Sequence, residues 1–175
     1  MPYPLEPSLQ AWLDQEDRRT AEIIRKYGTY IQYVGGEACT CCEAGLGGGA
    51  RPSAAPFAYT VGLFGIGHPE LLIVGVDPER ASATLNDVAK RVRLGRDLVP
   101  GELLSFDRWT HRAVVEPVPN PGEIVLAANR FYQRPAEYSV PLLQLTYDDG
   151  EGRFPWDDGY AIPEGVQPRP GDLRA

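Results

Sequence analysis

The chain has 175 residues, a net charge of −7, 43% hydrophobic residues and 23% charged residues. That length and apolar content suit one domain with a real core, and the acidic balance argues against tracking nucleic-acid phosphates or an anionic membrane surface. No run nears the roughly 20 apolar residues of a membrane span, residues 1–12 lack the basic and apolar regions of a secretory signal, and the 19 Gly and 17 Pro predict short elements joined by many turns.

Residues 1–13 are Pro-rich and read as an N-terminal arm, packed through Trp12 and Leu13. A helix is expected over about Asp14 to Tyr27, because Thr20, Ile23, Ile24 and Tyr27 share one face. Acids open it, Arg25 and Lys26 close it, and Gly28 caps it. Residues Thr29 to Val34 are β-branched and aromatic and read as a strand. Residues 38–56 carry the cysteines, a glycine run and two prolines, and form a long Cys/Gly-rich loop without periodicity.

A second strand runs from Phe57 to Leu63, and a turn with two glycines leads to a third at Glu70 to Val76. The near-continuous apolar run of that third strand predicts burial on both faces and a central place in the sheet. Asp77-Pro78 opens the next helix as cap and first residue, with Ala81, Leu85, Val88, Ala89 and Val92 as its apolar stripe. Glu102 to Phe106 and Arg112 to Val118 form a hairpin across Asp107 to His111. A short helix follows at Ile124 to Phe131, and a last strand at Val140 to Tyr147. The order α-β-β-β-α-β-β-α-β predicts an α+β fold. It is a single domain over residues 14–167, with a mixed sheet of about six strands, helices packed on it, and a Pro/Gly-rich C-terminal tail at 168–175. Tyr59, Val61, Leu72, Val74, Val114 and Leu143 are the expected core of the sheet.

Three stretches stand out together: Phe57-Ala58-Tyr59-Thr60-Val61-Gly62-Leu63, Gly67-His68-Pro69-Glu70-Leu71 and Gly152-Arg153-Phe154-Pro155-Trp156. With Asn86, Tyr132 and Gln144 they resemble the domain of unknown function 4262 family over about Arg18 to Gln167. The resemblance implies a bacterial cytosolic protein of one small α+β domain. It brings no activity, cofactor or catalytic residue with it. Against the family pattern, Cys39-Thr40-Cys41-Cys42 and the Gly-rich stretch after it look like an insertion.

His68 follows two turn glycines, and Glu70 opens the next strand. A neutral imidazole there suits a base or a metal ligand. The alternative is a histidine bonded to a backbone carbonyl, with Glu70 solvated. Cys39, Cys41 and Cys42 are soft donors, but three crowded thiols without a second pair make a poor zinc set, so no metal is favoured. They also cannot form a disulfide framework, which makes a reducing cytoplasm the expectation. Asp148, Asp149, Arg153, Trp156, Asp157, Asp158 and Tyr160 bring charges and rings into one C-terminal loop. There Phe154 and Trp156 are expected to plug the core, the acids to form a solvated turn, and Arg153 to reach Glu70 or an anion. Phosphate-loop, dinucleotide, nucleophile-elbow and zinc-protease motifs are lacking. The expected function is a non-catalytic binding or regulatory module, its partner a protein or small molecule and neither nucleic acid nor membrane. Its candidate ligand residues are Tyr59, His68, Glu70, Arg153 and Trp156. The alternative is a small enzyme with a pocket around Tyr59, His68 and Arg153–Trp156, possibly metal-assisted. No cofactor is favoured.

Overall fold

The computed structural model describes residues 6–35 and 55–174. Helix α1 spans Pro7–Tyr27, so residues 7–13 are helical and not part of an arm: the helix begins at the proline. Proline is favoured in a first turn, where its missing N–H has no intrahelical partner anyway. Trp12 is no anchor, being 54% exposed. Gly28 closes the helix in the left-handed conformation, its N–H donating to Ile24 O at 2.6 Å. Strands β1 (Tyr30–Val34), β2 (Phe57–Val61) and β3 (Glu70–Val74) follow, then α2 (Pro78–Arg93). Next come β4 (Leu103–Leu104), β5 (Ala113–Pro117), α3 (Leu126–Phe131) and β6 (Leu142–Tyr147).

The six strands lie in the order β1-β2-β3-β6-β5-β4. All pairs are antiparallel except β3 with β6, where Glu70 stands beside Leu142 and Leu72 beside Gln144. β3 is thus central, and all five of its residues are buried, as its apolar run requires. Alternation divides the core into two layers. Leu71, Ile73, Val115 and Leu145 face α2, whose Ala81, Leu85, Val88, Ala89 and Val92 are all buried against them. Tyr59, Leu72, Val74 and Leu142 face Ile124 and Ala128 around α3, with Ile24 of α1 at the margin. Val114 is only half-buried, because the inward parity on β5 belongs to Ala113 and Val115. Among the described residues no helix is long and apolar enough to cross a membrane.

Residues 148–174 form no helix or strand, yet they return to the sheet. Gln167 exchanges two hydrogen bonds with the backbone of Tyr147, Nε2 to O at 3.0 Å and N to Oε1 at 2.8 Å. Gln144 Nε2 donates to Pro168 O at 2.8 Å, and Leu173 is buried in the α3 layer. Gly75 leaves β3 with φ +74°, and a Cβ there would collide with Val166 O. Only glycine lets the segment pass so close. The proposed 168–175 tail is therefore docked through its described residues.

Candidate functional site

The turn between β2 and β3 is built around a buried acid. Gly62 has φ +135°, and a Cβ on it would sit 2.9 Å from Gly28 O, so the chain can turn there only as glycine. Phe64–Ile66 then make one 3-10 turn, and Glu70 returns fully buried, not solvated. Its Oε1 accepts from the amides of Gly62 at 2.9 Å and Phe64 at 3.0 Å. Its Oε2 accepts from Thr60 Oγ1 at 2.6 Å and from the Leu63 amide at 3.3 Å. Burial pushes the carboxyl above the ordinary glutamate range, while the Thr60 hydroxyl and the three amides pull it back. Every contact is a donor, an arrangement that only the ionised form satisfies in full.

His68, 5% exposed, completes this turn. Its Nδ1 lies 2.7 Å from Pro69 O, and its Nε2 lies 3.3 Å from the Leu98 amide nitrogen. The tautomer with the proton on Nδ1 satisfies both, so neither ring nitrogen is left for a substrate or a metal. Tyr132 Oη accepts from the Gly65 amide at 3.2 Å, and Tyr59 Oη from the Ala127 amide at 3.0 Å, at the start of α3. Burial pushes the Tyr59 phenol up to about 12. Burial, with the Glu70 charge adding to it, does the same to Tyr132.

Arg153 and Trp156 are not part of this cluster. β6 runs parallel to β3, so the chain beyond Tyr147 emerges at the far end, where Tyr147 Oη donates to Val74 O at 2.9 Å. There Asp148, 1% exposed, holds two basic side chains. His111 Nδ1 lies 2.6 Å from Asp148 O and 3.3 Å from its Oδ1, and Arg112 Nε lies 3.3 Å from Oδ2. The His111 side chain is 24% exposed, with its ring 4.8 Å from Trp109 and 5.6 Å from Tyr147. Its Nε2 has no partner among the described residues.

Arg153 Nε bonds Asp149 Oδ2 at 2.8 Å rather than Glu70. The Asp149 side chain is sealed from solvent and also accepts from the amides of Glu151, Arg153 and Ala161. Burial works to raise its carboxyl, but Arg153 and these amides outweigh that and hold it at about 2. Asp148 and Asp149 are thus buried structural acids and not a solvated turn. Phe154 is buried, whereas Trp156 stays 46% exposed, stacked on Phe154 at 5.1 Å with Arg169 above it at 5.0 Å.

An open cavity of about 610 Å³ is a groove between α2 and the β4–β5 connection. Asp77, Arg80, Asn86, Asp87 and Lys90 line it from the helix side, and Phe106, Arg108 and Trp109 from the other. It carries both signs of charge over an aromatic wall, and Trp109 joins it to His111. A second hollow of about 540 Å³ lies between Asn120–Glu123 and Ala136–Ser139. Tyr59, His68, Glu70, Arg153 and Trp156 line neither. Sequence reasoning missed the groove. Its available signal was the strand-to-helix junction at Asp77 together with the aromatic run Phe106 to His111. Cys39, Cys41 and Cys42 lie outside the described residues. Among the described ones no group of three or more His, Cys, Asp or Glu is placed to hold a metal.

No curated protein and no solved structure matches the chain. The family model described as Domain of unknown function (DUF4262) matches residues 23–161, which takes in β1 through β6, the His68–Glu70 turn and the Asp148–Trp156 loop. The chain belongs to that family.

Proposed function

We propose that this protein is a binding module whose ligand seats in the groove between α2 and the Phe106–Trp109 turn. The observation that carries the reading is the complete engagement of His68 and Glu70 by the backbone. The residues that looked most chemical build a turn, and a mixed-charge groove with an aromatic wall remains open elsewhere. The groove lies outside the carboxyl ends of the parallel strands β3 and β6, the position where open α/β sheets commonly take ligands. A ring to lie on Trp109 and a charge to meet Lys90 or Asp87 describe the ligand, a small molecule or a short peptide. The family resemblance and three cysteines too crowded for a disulfide framework support a place in the bacterial cytoplasm.

Trp12→Phe with Trp156→Phe leaves Trp109 as the only indole. A small-molecule and peptide panel should then contain members that shift its emission, and Lys90→Ala should weaken them. A panel that never perturbs Trp109, with ligands mapping instead to the Asn120–Ser139 hollow, would sink this reading. One observation favours a second reading, a small enzyme. Asp148 orients His111 so that Nε2 points away from the acid, as a general base requires. Turnover of any substrate that His111→Ala abolishes and Lys90→Ala spares would select it.

A further inference from the structure

The two edges of the sheet are protected differently. β4, at one end, is two residues long and is flanked by Glu102 and Asp107, features that blunt an edge. β1, at the other end, is Tyr30-Ile31-Gln32-Tyr33-Val34: five residues with no charge and no proline, in unbroken register with β2. Among the described residues no strand lies beyond it. Its outer backbone donors and acceptors form a template for another strand. All five side chains are half-buried, and they are packed from both faces: Tyr30 and Val34 on the α3 layer, Ile31 and Tyr33 on the α2 layer.

We propose that β1 pairs antiparallel with β1 of a second copy of this chain, across a twofold axis through Gln32. Three features single out a copy over a different partner. Read against itself, the strand is self-complementary. Tyr30 falls opposite Val34, Ile31 opposite Tyr33 and Gln32 opposite Gln32, so an aromatic meets a β-branched side chain in each outer pair. No charge on the strand selects a foreign sequence. Because the other edge is blunted, self-pairing closes at two copies instead of growing into a fibre.

Five paired residues bury less than the roughly 1,200 Å² of a stable interface, so the pairing is concentration-dependent.

Sedimentation equilibrium of the full chain tests the pairing. The wild type should run at twice the chain mass. Gln32→Lys and Gln32→Glu, each setting like charges against each other on the axis, should run as single chains, and their equimolar mixture should return to two. A wild type that stays single at 100 µM overturns the proposal, as does a dimer that both Gln32 variants preserve. Hydrogen exchange separates one more case: protection, independent of dilution, of those β1 amides that face away from β2 would mean that the chain covers its own edge, and the proposal fails.

Discussion

Two turns at opposite ends of the sheet set a histidine beside a buried acid, and they differ in what the imidazole has left to offer. At the β2–β3 turn both nitrogens of His68 meet backbone groups, and Glu70 binds four donors of its own. At the end of β6, Asp148 takes only one side of His111, and the other side faces outward beside Trp109. The first turn uses its titratable groups as struts. The second leaves one imidazole nitrogen available. A histidine becomes a functional candidate through its unmet valence, not through sitting next to an acid.

The comparison can be tested by taking each turn apart. The largest effect is expected from removing residues 151–175, which uncovers the His111 end. Phe154 and Leu173 go with them, and at about 1.5–3 kcal/mol per buried side chain the loss should be about 3–6 kcal/mol, read as a lower urea midpoint. An unchanged midpoint would mean that the segment is an independent arm. Glu70→Ala should cost about 3–5 kcal/mol, since it strands three amides and a hydroxyl in the interior. Glu70→Gln keeps two acceptor positions and should cost less. If Glu70→Ala costs under about 1 kcal/mol, the strut description fails.

Among the histidines, His68→Ala should cost about 2 kcal/mol by denaturant titration, and His111→Ala less than about 1 kcal/mol. Equal costs would erase the distinction between the turns. The smallest effect is a pH dependence. The Asp149 carboxyl is depressed to about 2 in the fold, against about 3.9 for an unfolded aspartate. Its stabilisation is therefore present above about pH 4 and is lost as pH falls toward 2. Melting curves across that window should fall more steeply for the wild type than for Asp149→Asn. Parallel curves would show that Asp149 is not held in this way.

Much of the fold was legible because periodicity reports burial. The α2 stripe and the central β3 follow directly from their residue patterns. The start of α1 was not, since prolines were read as loop where one of them is a helix opener. Val114 stands in a run of apolar residues whose parity is ambiguous without the partner strands. The candidate site was less legible, for topological reasons. Nothing local states that β6 runs parallel to β3, and that one fact sends Arg153 and Trp156 to the far end from His68. The burial of Glu70 has no local signal, because charged residues are usually solvated and its four donors come from positions that only the folded turn brings together.

The docking of residues 162–174 has a kinetic consequence. Their seat is composite: the exit of β3 at Gly75, the middle of β6 at Gln144 and Tyr147, and Glu116 on β5, which accepts from Arg169 at 2.6 Å. None of it exists until β6 has inserted between β3 and β5. A segment with such a seat is expected to join late, so Leu173→Ala should speed unfolding more than it slows folding. The lifetime of the native state, more than the speed of its formation, should then respond to changes in a stretch with no regular secondary structure.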